Sequence, residues 1–320
     1  MTIQFVKATK KQAKLRLALE GPAGFGKTYT ALTLASNLGD KVAYVDTEAG
    51  SASKYAHLFS FDVIELAPPF HPDRAVEAIT AAAEAGYDTV VVDSLSHFWQ
   101  GDGGLLSIVD EVGRTKYRGD SHRAWKDGGE IEQRLINAIL RSPIHVIGCM
   151  RTKKDYVRVE EGGKTKIRAA GTKTIQREEF DFEFDLVGRF DVPTVLSILK
   201  SRCDTLPPET VVNKPGADLA ALLLAWLEDG EPAPRFADLE AELVELAERL
   251  GAKDATVEAI GRHRGDTDWV SRAIDAARKN LAARTTAKPD DAKGKPEPKA
   301  EKPSQFQAPK DAQPTLEDAA

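Results

Sequence analysis

Residues 21–28 read Gly21-Pro22-Ala23-Gly24-Phe25-Gly26-Lys27-Thr28 and fit the pattern G-x-x-x-x-G-K-[ST] at every position. An alternating apolar run, Leu15-Arg16-Leu17-Ala18-Leu19, precedes this stretch, and apolar residues with helical spacing follow it over 31–38. The pattern therefore stands in the order of strand, loop and helix that a phosphate-binding P-loop requires. We interpret it as the binding site of a nucleoside triphosphate.

The chemistry of phosphate binding explains the residue types in this loop. Glycines let the backbone turn tightly, so that several N–H groups point at phosphate oxygens. Lys27 is expected to reach the β and γ phosphates, and the Thr28 hydroxyl is expected to hold Mg²⁺ at the positive end of the helix. The predicted nucleotide contacts in this stretch are Gly21, Pro22, Ala23, Gly24, Phe25, Gly26, Lys27, Thr28 and Tyr29.

Length and composition limit the class of protein. With 320 residues, 42% of them hydrophobic and 29% charged, the chain has room for one large α/β domain and a small appendage. No apolar run approaches the roughly 18 residues of a membrane span, and the N-terminus lacks the apolar segment of a secretory signal. Cys149 and Cys203 lie far apart, which argues against a zinc site or a disulfide framework. We expect no membrane partner, a cytoplasmic location and, because the net charge is -6, only a local site for any polyanion.

Two further apolar runs end in carboxylates. Residues 42–45 read as a buried strand that ends at Asp46-Thr47-Glu48, and residues 88–94 contain a hydrophobic run closed by Asp93. Ligands of open α/β sheets bind at the carboxyl ends of the strands, so these side chains are placed to meet the P-loop. The run ending at Asp93 has the form of a Walker B strand, and we predict that Asp93 and Thr28 hold Mg²⁺.

Two segments carry local positive charge. Residues 95–128 are rich in glycine and polar residues and are predicted to form a loop before a helix at 129–141. Basic and aromatic residues interleave there, as in single-strand binding loops, although a solvated loop with two partly buried tryptophans fits equally well. Residues 151–177 hold nine Lys or Arg against three Asp or Glu, and the resulting charge of +6 suits phosphate contacts. An exposed two-stranded ribbon with its tip at 160–164 is the alternative interpretation of this segment.

The remaining residues predict the end of the sheet and a separate appendage. Strands at 186–192 and 194–199 and a helix at 217–227 complete a core domain at 1–230. Apolar residues then recur at helical spacing, which predicts a small helical domain at 235–284. Residues 285–320 are rich in Pro, Lys, Asp, Glu and Ala and are predicted to be a disordered tail, either a tether or a short partner motif.

The order of these features resembles the RecA-like P-loop ATPase core, an α/β fold with a central, mostly parallel sheet. The resemblance implies ATP and Mg²⁺ as the ligands. It also implies that Glu48 polarises the attacking water and that Tyr55, seven residues further on, stacks on the adenine. Arg151 stands where RecA has a glutamine that senses the γ phosphate, so this departure affects the implied sensing mechanism rather than the fold.

Residues 1–228 are more closely similar to short RecA-like ATPases that bacteriophages encode and that are grouped with single-strand-annealing recombinases. The resemblance implies a homo-oligomer, ring or filament, that binds single-stranded DNA in the host cytoplasm. It implies that Lys173 or Arg177 acts in trans on the γ phosphate of a neighbouring subunit; the alternative is that both residues line the DNA path. A single-strand-binding protein is a further expected partner, through the tail. The matching stretches are Lys14-Leu15-Arg16-Leu17-Ala18-Leu19, Asp93-Ser94-Leu95-Ser96-His97, Met150-Arg151-Thr152-Lys153-Lys154-Asp155-Tyr156 and Gly171-Thr172-Lys173-Thr174-Ile175-Gln176-Arg177.

The leading prediction is an Mg²⁺-dependent ATPase that binds single-stranded DNA and promotes annealing or strand exchange in phage homologous recombination. Its predicted catalytic residues are Lys27, Glu48, Arg151, Lys173 and Arg177. A helicase or helicase loader on the same core is one alternative. A nucleotide-gated scaffold, with slow hydrolysis and a replication protein as its partner, is the other.

Overall fold

The computed structural model describes residues 7–161, 164–232, 236–263 and 267–286. The chain divides into two compact units, Met1–Glu231 and Pro232–Ala320. The first unit contains the P-loop and a large sheet, and the second contains a group of helices. The predicted disordered tail lies outside the described residues from 287 onward.

The sheet of the first unit is mostly parallel, as predicted for the fold class. Its strands run in the order β3-β2-β4-β5-β1-β7-β8-β9, and β6 pairs with β5. The pairs from β3 to β7 are parallel, whereas β7, β8 and β9 pair in antiparallel fashion. The strands are β1 (Arg16–Gly21), β2 (Val42–Asp46), β3 (Asp62–Glu65), β4 (Thr89–Asp93), β5 (His145–Glu161), β6 (Lys164–Thr174), β7 (Leu186–Val192), β8 (Val195–Ser201) and β9 (Val211–Asn213).

Helices cover both faces of the sheet, which explains why its central strands are apolar on both sides. Leu17 and Leu19 of β1 pack into one cluster with the first helix, while Ala18 between them packs into a second cluster on the other face. Alternate residues of one strand thus reach opposite layers. The helices are α1 (Lys27–Leu38), α2 (Pro72–Glu84), α3 (Leu95–Gln100), α4 (Leu105–Thr115), α5 (Ser121–Arg141), α6 (Ala217–Glu228), α7 (Phe236–Leu250), α8 (Lys253–Arg262) and α9 (Thr267–Thr286).

The segment 95–128 is helical, and the predicted loop is therefore wrong. It contains α3, α4 and the first two turns of α5, which starts at Ser121 rather than near 129. The glycines at 101, 103 and 104 lie in the turn between α3 and α4, whereas Gly128 allows close helix packing. A Cβ at Gly128 would lie 2.5 Å from Val109 Cγ2. This glycine lets α4 and α5 approach each other over a small apolar cluster.

The basic segment 151–177 is largely a two-stranded ribbon. β5 runs through the sheet as far as Arg151 and then continues outward, where it pairs with β6 in antiparallel register. The predicted tip of this ribbon includes residues 162–163, which lie outside the described residues. β5 thus belongs both to the sheet and to the ribbon.

The second unit is a small helical domain. α7, α8 and α9 contribute to one apolar cluster that includes Leu243, Ile260, Trp269 and Ile274. Among the described residues of the whole chain, no helix combines the length and the apolar character needed to span a membrane.

His145, the first residue of β5, is a buried imidazole in the sheet. It is 3% exposed, and its Nδ1 accepts a hydrogen bond from the Leu15 N–H at 2.9 Å. Burial, with the nearby positive charges of Lys14 and Arg16, lowers the pKa of His145 to about 4. The folded protein therefore holds His145 neutral at pH values where an unfolded chain would protonate it.

We expect the free energy of unfolding to fall by about 2 kcal/mol between pH 7 and pH 5 because of His145 alone. An unfolded histidine has a pKa of about 6.5, so the unfolded state binds more protons between about pH 6.5 and pH 4, and acidification favours unfolding. Urea unfolding at the two pH values measures the difference. His145→Gln should remove this pH-dependent part, whereas His57→Gln, at an exposed position, should keep it. An unchanged pH dependence in His145→Gln would contradict the assignment.

Candidate active site

The P-loop connects β1 to α1 with two residues in the left-handed region. Gly24 has φ 80° and Gly26 has φ 108°, conformations that residues with a Cβ rarely adopt. α1 begins directly after Gly26, without a side-chain cap, so the backbone N–H groups of its first turn point into the loop. These free donors and the helix dipole make the loop an anion site.

Lys27 lies over this loop. Its Nζ donates hydrogen bonds to Gly21 O at 2.8 Å and to Pro22 O at 2.9 Å, and the residue is 6% exposed. The ammonium group is thus held beside the loop backbone, at the side where the P-loop N–H groups converge. This position suits the predicted contact with the β and γ phosphates.

Asp93 ends β4 next to the P-loop helix. Its Oδ2 accepts hydrogen bonds from Thr28 Oγ1 at 2.7 Å and from Tyr44 Oη at 2.8 Å. Its Oδ1 is buried and has no hydrogen-bond partner in the part of the chain that the structure describes. Burial, reinforced by the negative charge of Glu48, raises the pKa of Asp93.

This set of oxygens fits Mg²⁺. An unsatisfied buried carboxylate oxygen is costly, and a divalent cation would both satisfy it and offset the burial of its charge. The described residues include no group of three or more His, Cys, Asp or Glu that could hold a metal. Mg²⁺ sites are commonly built from one or two carboxylates together with substrate phosphates, so Asp93 and the Thr28 hydroxyl are the groups that would hold the ion.

Glu48 and Arg151 form an ion pair at the edge of this site. Arg151 Nε donates to Glu48 Oε1 at 2.7 Å, and the Glu48 side chain is 21% exposed. Asp46 orders the loop that carries Glu48, since its Oδ1 accepts from the Glu48 N–H at 2.6 Å. Arg151 in turn lies opposite Gly21 in the parallel register of β5 and β1. The predicted base and the predicted sensor are therefore brought together beside the start of the P-loop.

His97 joins the loop after β2 to helix α3. Its Nδ1 lies 2.7 Å from Thr47 Oγ1, which also accepts a hydrogen bond from the Ser94 N–H at 2.7 Å. Burial, and then the positive charge of Arg151, lowers the pKa of His97. This network fixes the backbone between Asp93 and α3.

Three aromatic rings lie beside the first turn of α1. The Tyr29 ring is 5.9 Å from Tyr55 and 5.4 Å from Phe59, both in edge-on arrangements. Tyr29 is 46% exposed. The predicted adenine contact Tyr55 and the predicted nucleotide contact Tyr29 are thus brought together, and Phe59 adds a third ring.

Lys173 and Arg177 each pair with a carboxylate outside the P-loop. Lys173 pairs with the exposed Glu178. Arg177 pairs with Glu132, whose side chain is only 6% exposed, and its guanidinium lies 5.7 Å from the ring centre of Trp125. Neither cation has a hydrogen bond or ion pair with residues 21–28 in the described parts of the chain.

Sequence reasoning left Tyr44, Thr47, Phe59 and Glu132 out of the predicted site. Tyr44 lies within the apolar run of β2, where the pattern predicts a core residue. Its hydroxyl nevertheless donates a hydrogen bond to Asp93 Oδ2. Glu132 has no signal beyond its place in a helix. Only Thr47 of these four residues had a sequence signal, because it stands between Asp46 and Glu48 at the end of a strand.

The fold and the site define a P-loop ATPase domain, with a phosphate-binding loop between β1 and α1, the predicted Walker B residue Asp93 at the end of β4, and a mostly parallel sheet between helical layers. A family model described as an AAA domain matches residues 13–215. The match spans more than half of the chain, and the protein belongs to this family. No curated protein matches the chain.

Proposed function

We propose that this protein is an oligomeric, Mg²⁺-dependent ATPase that binds single-stranded DNA and promotes annealing or strand exchange in phage recombination. The observation that carries the proposal is the path of β5. Arg151 contacts the predicted base Glu48, and two residues later Lys153 belongs to the basic ribbon. A polyanion bound to the ribbon would therefore contact β5, the same strand whose Arg151 positions the carboxylate of Glu48.

The electrostatics of the ribbon support DNA as the partner. Residues 151–177 carry a charge of +6, from nine cations and three carboxylates, in a chain whose net charge is -6. The positive charge is thus concentrated at one place in an otherwise acidic protein. Phosphate backbones bind such local clusters through counterion release.

The chain's own residues suit ATP hydrolysis. Glu48, oriented by the hydrogen bond from Arg151, accepts a proton from the attacking water. Lys27 and the P-loop N–H groups hold the phosphates, and Tyr29 and Tyr55 offer ring surface to the adenine. Mg²⁺, when bound, neutralises charge on the phosphate oxygens.

An oligomer would add a cation from a neighbouring subunit, and Lys173 is the better candidate for this role. Its partner Glu178 is exposed, with 77% of the side chain accessible, so Lys173 can leave it at small cost. Arg177 would have to abandon the buried Glu132, which would leave a buried charge unpaired. We propose that Lys173 acts in trans and that Arg177 holds the ribbon against α5.

A salt titration of single-strand binding tests the proposal. We expect a fluorescently labelled oligothymidylate to bind tightly at low salt, to weaken steeply as salt rises, and to bind more tightly with ATP. A duplex of the same length is the control and should bind more weakly. Failure to bind the single strand at low salt would reject the proposal in favour of a nucleotide-gated scaffold. ATP-driven unwinding of a tailed duplex would favour a helicase.

A further inference from the structure

A cleft of about 550 Å³ lies between the basic ribbon and the helices α3 and α5. Trp99, the next to last residue of α3, and Trp125 of α5 line it together with Lys153, Lys173 and Arg177. The P-loop, Glu48 and Asp93 of the ATPase site are not among its lining residues. The elements that form it nevertheless lead back to that site, because α3 follows Asp93 and β5 passes through Arg151.

The two tryptophans form a supported aromatic surface. Their ring centres are 5.9 Å apart with the planes inclined by 33°, and both residues are half-buried. They pack on the apolar cluster of Leu105, Val109 and Ala124. One side of the indole pair is thus fixed by the protein, and both tryptophans border the cleft, where the Arg177 guanidinium lies 5.7 Å from the ring centre of Trp125. Indole rings held in this way lose little conformational freedom when a flat partner stacks on them.

The charges in the cleft are nearly balanced. Lys173 is paired with Glu178 and Arg177 with Glu132, and Glu179 also lines the cleft. Lys153 lies directly opposite Lys173 in the ribbon register and has no ion pair among the described residues. A like-charged pair in this position is unfavourable unless an anion lies nearby. The cleft therefore offers aromatic ring surface, with Lys153 beside it as a cation that forms no ion pair among the described residues.

We propose that this cleft holds one unpaired base of bound DNA, stacked on the Trp99 and Trp125 pair, with Lys153 contacting the adjoining phosphate. The proposal rests on the single-strand binding proposed above, and it adds a physical reason for a preference for single-stranded over duplex DNA. A base within a duplex is paired and stacked and cannot enter, whereas an unpaired base of any type has a face to offer. Stacking of this kind depends little on salt, unlike the phosphate contacts of the ribbon.

The test compares an oligothymidylate of about 20 nucleotides with an abasic oligonucleotide that has the same number of phosphates. Fluorescence anisotropy gives both affinities at low and at raised salt. The wild-type chain should bind the thymidylate about tenfold more tightly, and this ratio should persist as salt rises. Trp125→Leu keeps apolar packing but removes the indole, and it should reduce the ratio several-fold. Trp226→Leu replaces a half-buried tryptophan of α6 in the other cluster and should leave the ratio unchanged.

The possible failures are distinguishable. If Trp125→Leu, Trp99→Leu and the wild type all bind the thymidylate with the same preference over the abasic strand, the cleft is not the base site, and single-strand binding stands. If the wild type binds both strands equally, phosphate contacts account for all the affinity, and the cleft proposal is again overturned. If the wild type binds neither strand, both proposals fail together. Trp99→Leu serves as a second variant, since loss of preference in either tryptophan supports the site.

Discussion

Glu48→Gln is expected to retain ATP binding and to lower the rate of hydrolysis by about 10² to 10⁴-fold. The amide oxygen can still accept the hydrogen bond that Arg151 Nε gives to Glu48 Oε1 at 2.7 Å. The local geometry is therefore preserved, whereas the ability to take a proton from water is lost. Lys27, Thr28 and the loop glycines are unchanged, so the affinity for nucleotide has no reason to fall.

The experiment measures nucleotide affinity by calorimetry and turnover by phosphate release. Glu65→Gln is the matched control, because Glu65 ends the neighbouring strand β3 opposite Asp46 but is exposed. This variant should hydrolyse ATP at the normal rate. Normal turnover by Glu48→Gln would show that another group activates the water, and His97, near the same carboxylate, would be the next residue to test.

The sequence allowed the centre of the site to be predicted because its residues share one geometric property. The P-loop, Glu48 and Asp93 each follow a strand, and parallel strands place their carboxyl ends at the same edge of a sheet. Local patterns therefore locate these groups near one another without any knowledge of the packing. The parallel sheet itself was predictable for the same reason, from short apolar runs that alternate with helical segments.

The parts that could not be predicted depend on contacts between distant residues. The pair of Arg151 and Glu48 joins positions 103 residues apart, and no local pattern specifies it. The helices at 95–128 were missed for a different reason. The glycine content of this segment indicated a loop, but Gly128 lies where α4 and α5 are too close for a larger side chain. A glycine signal does not distinguish a turn from a close helix contact.

Lys173→Ala is expected to lower DNA-stimulated ATP hydrolysis by about 10³-fold while the fold and the nucleotide affinity are retained. The reason is that a cation delivered at a subunit interface stabilises charge that develops on the transferred phosphoryl group. Stability should change little, since Lys173 and Glu178 form an exposed pair. Thermal unfolding and phosphate release measure the two properties separately.

A mixing experiment shows whether Lys173 acts in trans. Lys27→Ala disables a subunit's own P-loop but keeps its Lys173, whereas Lys173→Ala keeps the P-loop. Each variant alone should be nearly inactive, and a mixture should recover activity, because the first variant supplies Lys173 to the intact P-loop of the second. A mixture that assembles into oligomers without any recovery would reject the trans assignment.

Arg177→Ala should behave differently, as a loss of stability of about 2 kcal/mol. Removing the guanidinium leaves Glu132 buried and without its ion-pair partner, a cost that arises within one subunit. Glu132→Gln removes the buried charge, so the double variant Arg177→Ala and Glu132→Gln should recover most of the lost stability. A catalytic role for Arg177 in trans predicts the opposite pattern. Arg177→Ala would then have normal stability and low activity, and adding Glu132→Gln would not restore the activity. Mixing Arg177→Ala with Lys27→Ala would restore it. Lys173 and Arg177 lie only four positions apart, at the base of one ribbon. These opposite outcomes therefore show which of the two cations acts on a neighbouring subunit and which one stabilises its own fold.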